Sequence, residues 1–294
     1  MASSRKIRQF SFSDFLIYLF LFLFTAITIY PFLNVVATSF SPFSAYLEHP
    51  LMIFPHEFTI DTYVMIFRTG NIPRAFLNSV TITVCHTALG IFLTLLTAYP
   101  LAHKGLRGRK IFMVYILITM IFNGGMIPNF ILIRSLGMYD SLLSLIIPGC
   151  LGAWSIFIMQ NFIANIPDSL RESAMLDGAS ELRILWSIII PLIGPAVAYL
   201  CLNMAVGTWN SFFNAMIYLR EREKWPLQLY LRDILLAGNA AMNSQDAASE
   251  TDVYFSYFNI KTANIVITIL PIICIYPFLQ KYFVKGVVIG AVKG

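Results

Sequence analysis

Six long runs of apolar residues, at 15–40, 75–101, 110–133, 141–163, 184–219 and 261–284, decide the solvent in which this chain folds. About 20 mostly apolar residues suffice to cross a bilayer as a helix, and each run reaches that length. Lipid cannot satisfy unpaired backbone groups, so a spanning segment is either a helix or a strand of a closed barrel. The runs are continuous and lack the alternation of barrel strands. The expected fold is therefore an all-α membrane protein with six transmembrane helices. Only 12% of the residues are charged, against about 25% in a typical soluble domain, which leaves no room for a further large soluble domain.

The first run follows Arg5, Lys6 and Arg8. It is longer than the apolar stretch of about 7 to 15 residues in a signal peptide, and no small-residue cleavage site closes it. It is read as a retained first helix, with the amino terminus in the cytosol. With both termini and the connections at 102–109 and 164–183 on the same side, twelve of the twenty Lys and Arg residues lie inside. This agrees with the excess of basic residues in cytoplasmic loops. Five acidic residues accompany them, a net charge of +7 inside against −2 outside. The expected organisation is a cytoplasmic segment 1–14, a six-helix membrane domain 15–284 that includes the connections 164–183 and 220–260, and a cytoplasmic tail 285–294. The basic residues are spread between apolar runs and point to topology, not to nucleic acid. Cys85, Cys150, Cys201 and Cys274 lie far apart in apolar stretches, without the spacing of a zinc or redox motif, and no metal site is expected.

Two outer segments, 41–74 and 220–260, exceed a simple turn, whereas 134–140 is a tight connection. In the second, Trp225-Pro226 leads into an amphipathic stretch from Leu227 to Leu236, expected to lie at the interface and to end at Gly238. Residues 239–252 are rich in small polar residues and read as a flexible loop, either a docking surface or slack.

The cytoplasmic connection carries the most information. Between Pro167 and Pro195 the sequence places a short helix between two spans. Ser169 and Glu172 have the spacing of a capping box, and Gly178 supplies a left-handed residue to stop the helix after about two turns. From the residues alone, Glu172 either caps its own helix or offers a carboxylate to a partner.

This segment resembles the cytoplasmic loop of the membrane subunits of ATP-binding-cassette importers, written E-A-A-x3-G-x9-I-x-L-P. Glu172, Ala174, Gly178, Ile188 and Pro191 match in register, while Ser173 and Ile190 replace an alanine and the leucine. Asp177-Gly178-Ala179 and Pro195 are similar to the sugar-importing branch. So are Phe122 to Pro128, the Trp209-Asn210-Ser211-Phe212-Phe213-Asn214 stretch, and a tail like that of the small membrane subunit of maltose-type importers. Within that branch the chain resembles permeases for complex oligosaccharides or polysaccharide fragments, alginate among them.

The resemblance implies half of a translocation pathway for a sugar or oligosaccharide in a bacterial inner membrane. Glu172, Ala174, Met175, Leu176, Asp177 and Gly178 would seat in a separate ATPase and pass its opening and closing to the spans. The implied partners are a second, different permease chain, two ATPase subunits and an extracytoplasmic solute-binding protein. ATP and magnesium would be bound by the ATPase, with no cofactor in this chain. For Lys285 to Gly294 the resemblance implies a contact with the ATPase pair, the other reading being a solvated tail.

Polar groups inside spans are costly unless partnered or facing a cavity. Asn123, Asn203, Asn210 and Asn214, with Trp154 and Trp209, are the candidates to line a pathway. Amides both donate and accept, and an indole stacks on the apolar face of a sugar ring; each can equally be interhelical glue. His86 reads as a packing or hydrogen-bonding residue. Gly124-Gly125 with Pro128, and Pro191 with Gly194-Pro195, are expected to kink the third and fifth runs, for gating or for fit.

No G-x-x-x-x-G-K-[ST] phosphate loop is present, so the chain is not expected to hydrolyse ATP. A secondary, ion-coupled carrier is the alternative, but it calls for a buried ionisable residue and inverted repeats, neither of which is found.

Overall fold

The protein's computed structural model describes residues 12–68, 71–243 and 258–275. The described residues are helical, without strands. They divide into two compact units, one of Met1–Arg68 with Ile234–Ile267 and the other of Thr69–Asp233 with Thr268–Gly294. Residues 285–294 and the first eleven lie outside the described residues.

In the first unit, α1 (Phe12–Ser39) is followed by two short helices, α2 (Phe43–Glu48) and α3 (Asp61–Arg68). The most apolar window of α1 has no buried residue, as suits a helix whose solvent is hydrocarbon. The segment after it is tied back by side chains. Asn34 Nδ2 donates to the carbonyls of Pro50 and Met52 at 3.0 and 2.9 Å. Tyr63 Oη meets Ser39 Oγ at 2.8 Å, and the Phe40 ring stacks between Phe58 and Tyr63.

The second unit is built on α4 (Asn71–Ala102). Its buried residues, Ile72, Ala75, Ser79 and Ile82, then Ile91, Leu95, Ala98 and Ala102, recur every three or four positions and form one stripe. Small residues in that stripe let neighbouring backbones approach closely. A Cβ on Gly90 would lie 2.6 Å from the Cys150 carbonyl oxygen and 3.0 Å from Met204 Sδ. The core continues through Ile156, Met159 and Ile163, Ile184 and Leu185, and Ala196 and Leu200.

The remaining apolar runs are broken. The 110–133 run divides into α5 (Arg109–Ile121) and α6 (Met126–Ser135), bent by 111°. Gly125, at φ 87, makes the bend, and its N–H is taken by Asn123 Oδ1 at 2.9 Å. The 141–163 run is not one helix but α7 (Leu143–Ile146) and α8 (Ala153–Ala164), separated by a segment with Gly149 at φ 76. At 1.5 Å per residue, α8 alone reaches about 18 Å, short of the roughly 30 Å hydrocarbon core.

After α9 (Asp168–Leu176) and α10 (Glu181–Ile184), the 184–219 run passes through a π-turn at Leu185–Ile189 into α11 (Ile190–Leu192) and α12 (Gly194–Trp209). Pro191 has no N–H to give and its ring crowds the preceding turn, and the widened register accommodates it. The two halves bend by 84°. Then come α13 (Phe213–Tyr218), a 3-10 turn at Arg222–Lys224, α14 (Leu227–Asn243) and α15 (Phe258–Ile275). Three described helices, α1, α4 and α15, are long and apolar enough to cross a membrane, or up to five if each bent pair is one span. The count of six is not reached among the described residues. Both kinks stand where Gly and Pro placed them. Gly238 does not end α14, which continues to Asn243 and makes part of the expected flexible loop helical; a glycine inside a helix is a cost of about 1 kcal/mol, not a stop.

In a helix interior Ala normally outperforms Gly by about 0.5–1 kcal/mol. Gly90→Ala should instead destabilise the chain by about 1–3 kcal/mol through the contact with the Cys150 carbonyl, read as a lower thermal midpoint in detergent.

Candidate functional site

The 164–183 connection folds into α9, whose end follows the sequence closely. Gly178 is left-handed at φ 80. The Ala179 N–H reaches the Ala174 carbonyl and the Gly178 N–H the Met175 carbonyl, both at 3.0 Å. This is the paired Schellman closure. The start differs from expectation. Pro167 occupies the N-cap position without a side-chain cap bond, and α9 begins at Asp168. Ser169 is thus already inside the first turn, so no capping box forms with Glu172. An extended proline, with no N–H to satisfy, ends the preceding segment, and Asp168 places a negative charge at the helix amino terminus.

The faces of α9 are unequal. Ala174 is buried in the core that holds Leu101, Ala102, Ile163 and Ile184, so the close approach it permits is to its own membrane body. Glu172, Asp177 and Gly178 are exposed. Met175 is 47% and Leu176 90% exposed. An isolated exposed leucine is ordinary, but here Leu170 is exposed as well, on a nine-residue helix outside the apolar runs.

Beside α9 lies a cavity of about 640 Å³ lined by Tyr99, His103, Asp168, Arg171, Glu172 and Glu181 among others. Glu181 Oε2 accepts from Tyr99 Oη at 2.5 Å and from Arg171 Nε at 3.2 Å, while Arg171 Nη2 pairs with Oε1. The His103 ring meets Tyr99 edge-on at 4.9 Å, and its Nε2 is buried without a hydrogen-bond partner. Burial first, and then the Arg171 charge, hold this imidazole below its usual 6.5. Neither His103 nor the triad was singled out from sequence, because their pairing crosses 82 positions from Tyr99 to Glu181.

The expected pathway residues are not gathered in one place. Asn214 lines a polar cavity of about 240 Å³ with Ser79, His86, Thr208 and Ser211. His86 Nδ1 stands 2.9 Å from the Ile146 carbonyl; a carbonyl only accepts, so that nitrogen carries the proton. Trp209 is 6% exposed, its N–H donates to the Thr268 carbonyl at 3.0 Å, and its ring meets Phe76 edge-on. Asn210 Oδ1 accepts from Gln228 Nε2 at 3.2 Å. Trp154 is 42% exposed beside Tyr199, 6.1 Å between ring centres. Asn203 is exposed on α12 and Asn123 at the bend before α6.

On the other face, Asp140 organises the start of the 220–260 segment. It adopts φ 56, a left-handed conformation that Asp tolerates better than most residues. Its Oδ1 accepts from the Arg220 and Glu221 N–H groups at 2.9 and 3.1 Å, and Lys224 Nζ donates to its Oδ2 and carbonyl at 2.9 and 2.8 Å. Asn78 Nδ2 adds bonds to the Glu223 and Trp225 carbonyls, and the Leu227 N–H reaches Ser79 Oγ at 2.7 Å. Burial raises the Asp140 pKa, but Lys224 and the two N–H donors outweigh it and hold the carboxyl below 3.8.

Two outcomes follow. The Asp140 clamp is complete above about pH 3.8 and is lost as the pH falls through the lower folded value. Asp140→Ala should therefore raise hydrogen exchange at Arg220 and Glu221 at neutral pH, measured against the native chain at the same pH. For His103 the unfolded chain takes up the proton first on acidification. Its contribution is full above 6.5 and declines as the pH falls from there toward the folded value. The thermal midpoint of His103→Gln should vary less with pH below 6.5 than that of the native chain.

Residues 87–289 match the family described as binding-protein-dependent transport system inner membrane component. Over 284 residues the chain is 40% identical to the polygalacturonan/rhamnogalacturonan transport system permease protein YtcP of Bacillus subtilis, covering 96% of this chain and 98% of that one. It is 29% identical over 291 residues to the arabinooligosaccharides transport system permease protein AraQ of the same organism, covering 97% and 98%. A chain in the crystal structure of a bacterial ABC transporter that imports the acidic polysaccharide alginate superimposes with TM-score 0.84 at 31% identity, covering 96% of this chain and 100% of that one. With a family match across most of its length and relatives matched end to end, the chain belongs to the inner membrane components of binding-protein-dependent transport systems, the permease subunits of ABC importers.

Proposed function

We propose that this chain forms half of the translocation pathway for an oligosaccharide and is driven by a separate ATPase seated on α9. The observation that carries this reading is the exposed apolar end of that helix. Leu176 is 90% exposed and its neighbour Met175 47%, at the closed end of a helix whose opposite face is anchored by Ala174. Such a surface suits a partner's groove, which receives anchors from one helix face. Glu172, Asp177 and Gly178 stand at the rim of the same surface. The second permease chain, the ATPase pair that binds ATP and magnesium, and the solute-binding protein complete the assembly. Membership of the permease family leaves the ion-coupled carrier without support.

The relatives named for polygalacturonan and rhamnogalacturonan, and the solved alginate importer, make uronic-acid oligosaccharides the first substrates to assay. Asn214, Thr208 and Ser211 offer uncharged hydrogen-bonding groups suited to sugar hydroxyls. The distribution of Lys and Arg supports a topology with both termini in the cytosol.

Leu176 touches little of its own chain, so Leu176→Asp should leave the thermal midpoint of the isolated subunit within about 1–2 °C of native, as for surface substitutions generally. The same variant should lose the ATPase on co-purification and with it ATP-dependent uptake. Retention of the ATPase with unchanged uptake would remove α9 as its seat.

A further inference from the structure

We infer that Glu181 is a positioning residue that joins α9 to α4, so that displacement of the cytoplasmic helix reaches the centre of the membrane body through one carboxylate. The inference rests on the proposed seating of an ATPase on α9.

Glu181 opens α10, directly after the N-cap Ser180, and α10 leads without a break into the π-turn. Both of its oxygens are engaged. Oε2 holds Tyr99 Oη at 2.5 Å and Arg171 Nε at 3.2 Å, and Oε1 pairs with Arg171 Nη2. Two-pronged pairing of this kind fixes orientation as well as distance. Arg171 lies three residues before Ala174 on α9, hence on the same face. The buried residue of α9 on that face is Ala174. Tyr99 lies in the last turn of α4, in the same core as residues of α8 and α12. One carboxylate therefore gathers the cytoplasmic helix, the entry to the bent fifth run and the central helix.

Stability does not account for the arrangement. The Arg171 and Glu181 side chains are 28% and 45% exposed, and ion pairs so open to solvent add little to folding. Direction is what three donors on two oxygens supply. With the link intact, a push on α9 is carried into α4; without the Glu181 carboxylate, Arg171 and Tyr99 keep only their direct contact, which lacks the two-pronged geometry that fixes direction.

The test uses the complete reconstituted importer with its binding protein, comparing the native chain with Tyr99→Phe, Glu181→Gln, Arg171→Glu, and the reversed pair Arg171→Glu with Glu181→Arg. Solute uptake per ATP hydrolysed is the readout, since a merely structural role would lower both together. Tyr99→Phe and Glu181→Gln should keep the ATPase bound and hydrolysing, while uptake per ATP falls about fivefold or more, the lower range of an ordinary coupling energy. Arg171→Glu should fall likewise, and the reversed pair should recover part of that loss. An unchanged ratio in both Tyr99→Phe and Glu181→Gln overturns the inference, as does loss of assembly in Tyr99→Phe, which removes one hydroxyl. Failure of the native chain to hold an ATPase on α9 defeats the functional proposal instead, so the two failures are distinguishable.

Discussion

Inside a bilayer each backbone N–H and C=O must find its partner within the protein, and every departure from a straight helix has to be closed locally. The bends obey this. At Gly125 the freed N–H goes to the Asn123 side chain, and at Pro191 the ladder widens into a π-turn that absorbs the missing donor. Where backbones meet, small residues are required, and at Gly90 the Cys150 carbonyl occupies the space a side chain would need. The central helix α4 supports the second unit because its buried stripe sets small residues, Ala75, Ser79, Gly90, Ala98 and Ala102, among larger Ile and Leu side chains.

The two polar clusters outside that core solve different problems. On one face Asp140 accepts a left-handed backbone and collects the N–H groups of Arg220 and Glu221 together with Lys224, which fixes the start of a long segment. On the other, Glu181 gathers Arg171 and Tyr99 next to α9. Each cluster sets the direction in which a segment leaves the membrane body.

The family could be read from one loop because its chemistry is local. Gly178 must be left-handed to end α9, and Pro191 must interrupt the following helix, so their spacing is visible without a fold. The same local reasoning placed the kinks at Gly124-Gly125 and at Pro191 with Gly194-Pro195. It failed where two signals competed within one turn, as at Pro167 and Ser169, where the proline took the cap. It failed again at Gly238, where one glycine was set against a continuing helix.

Sequence by itself determined the solvent, the all-helical class, the position along the chain of the short helix α9 and the points where apolar runs must break, because hydrophobic length and the backbone limits of Gly and Pro act over a few residues. Only the tertiary structure decided which side chains those breaks bring together. It turned Ala174 inward and Leu176 outward, and it buried Trp209 against Phe76 and the Thr268 carbonyl. It also set Glu181 between Arg171 and Tyr99. Contacts across tens of residues depend on how bent helices pack, and no local pattern encodes that packing.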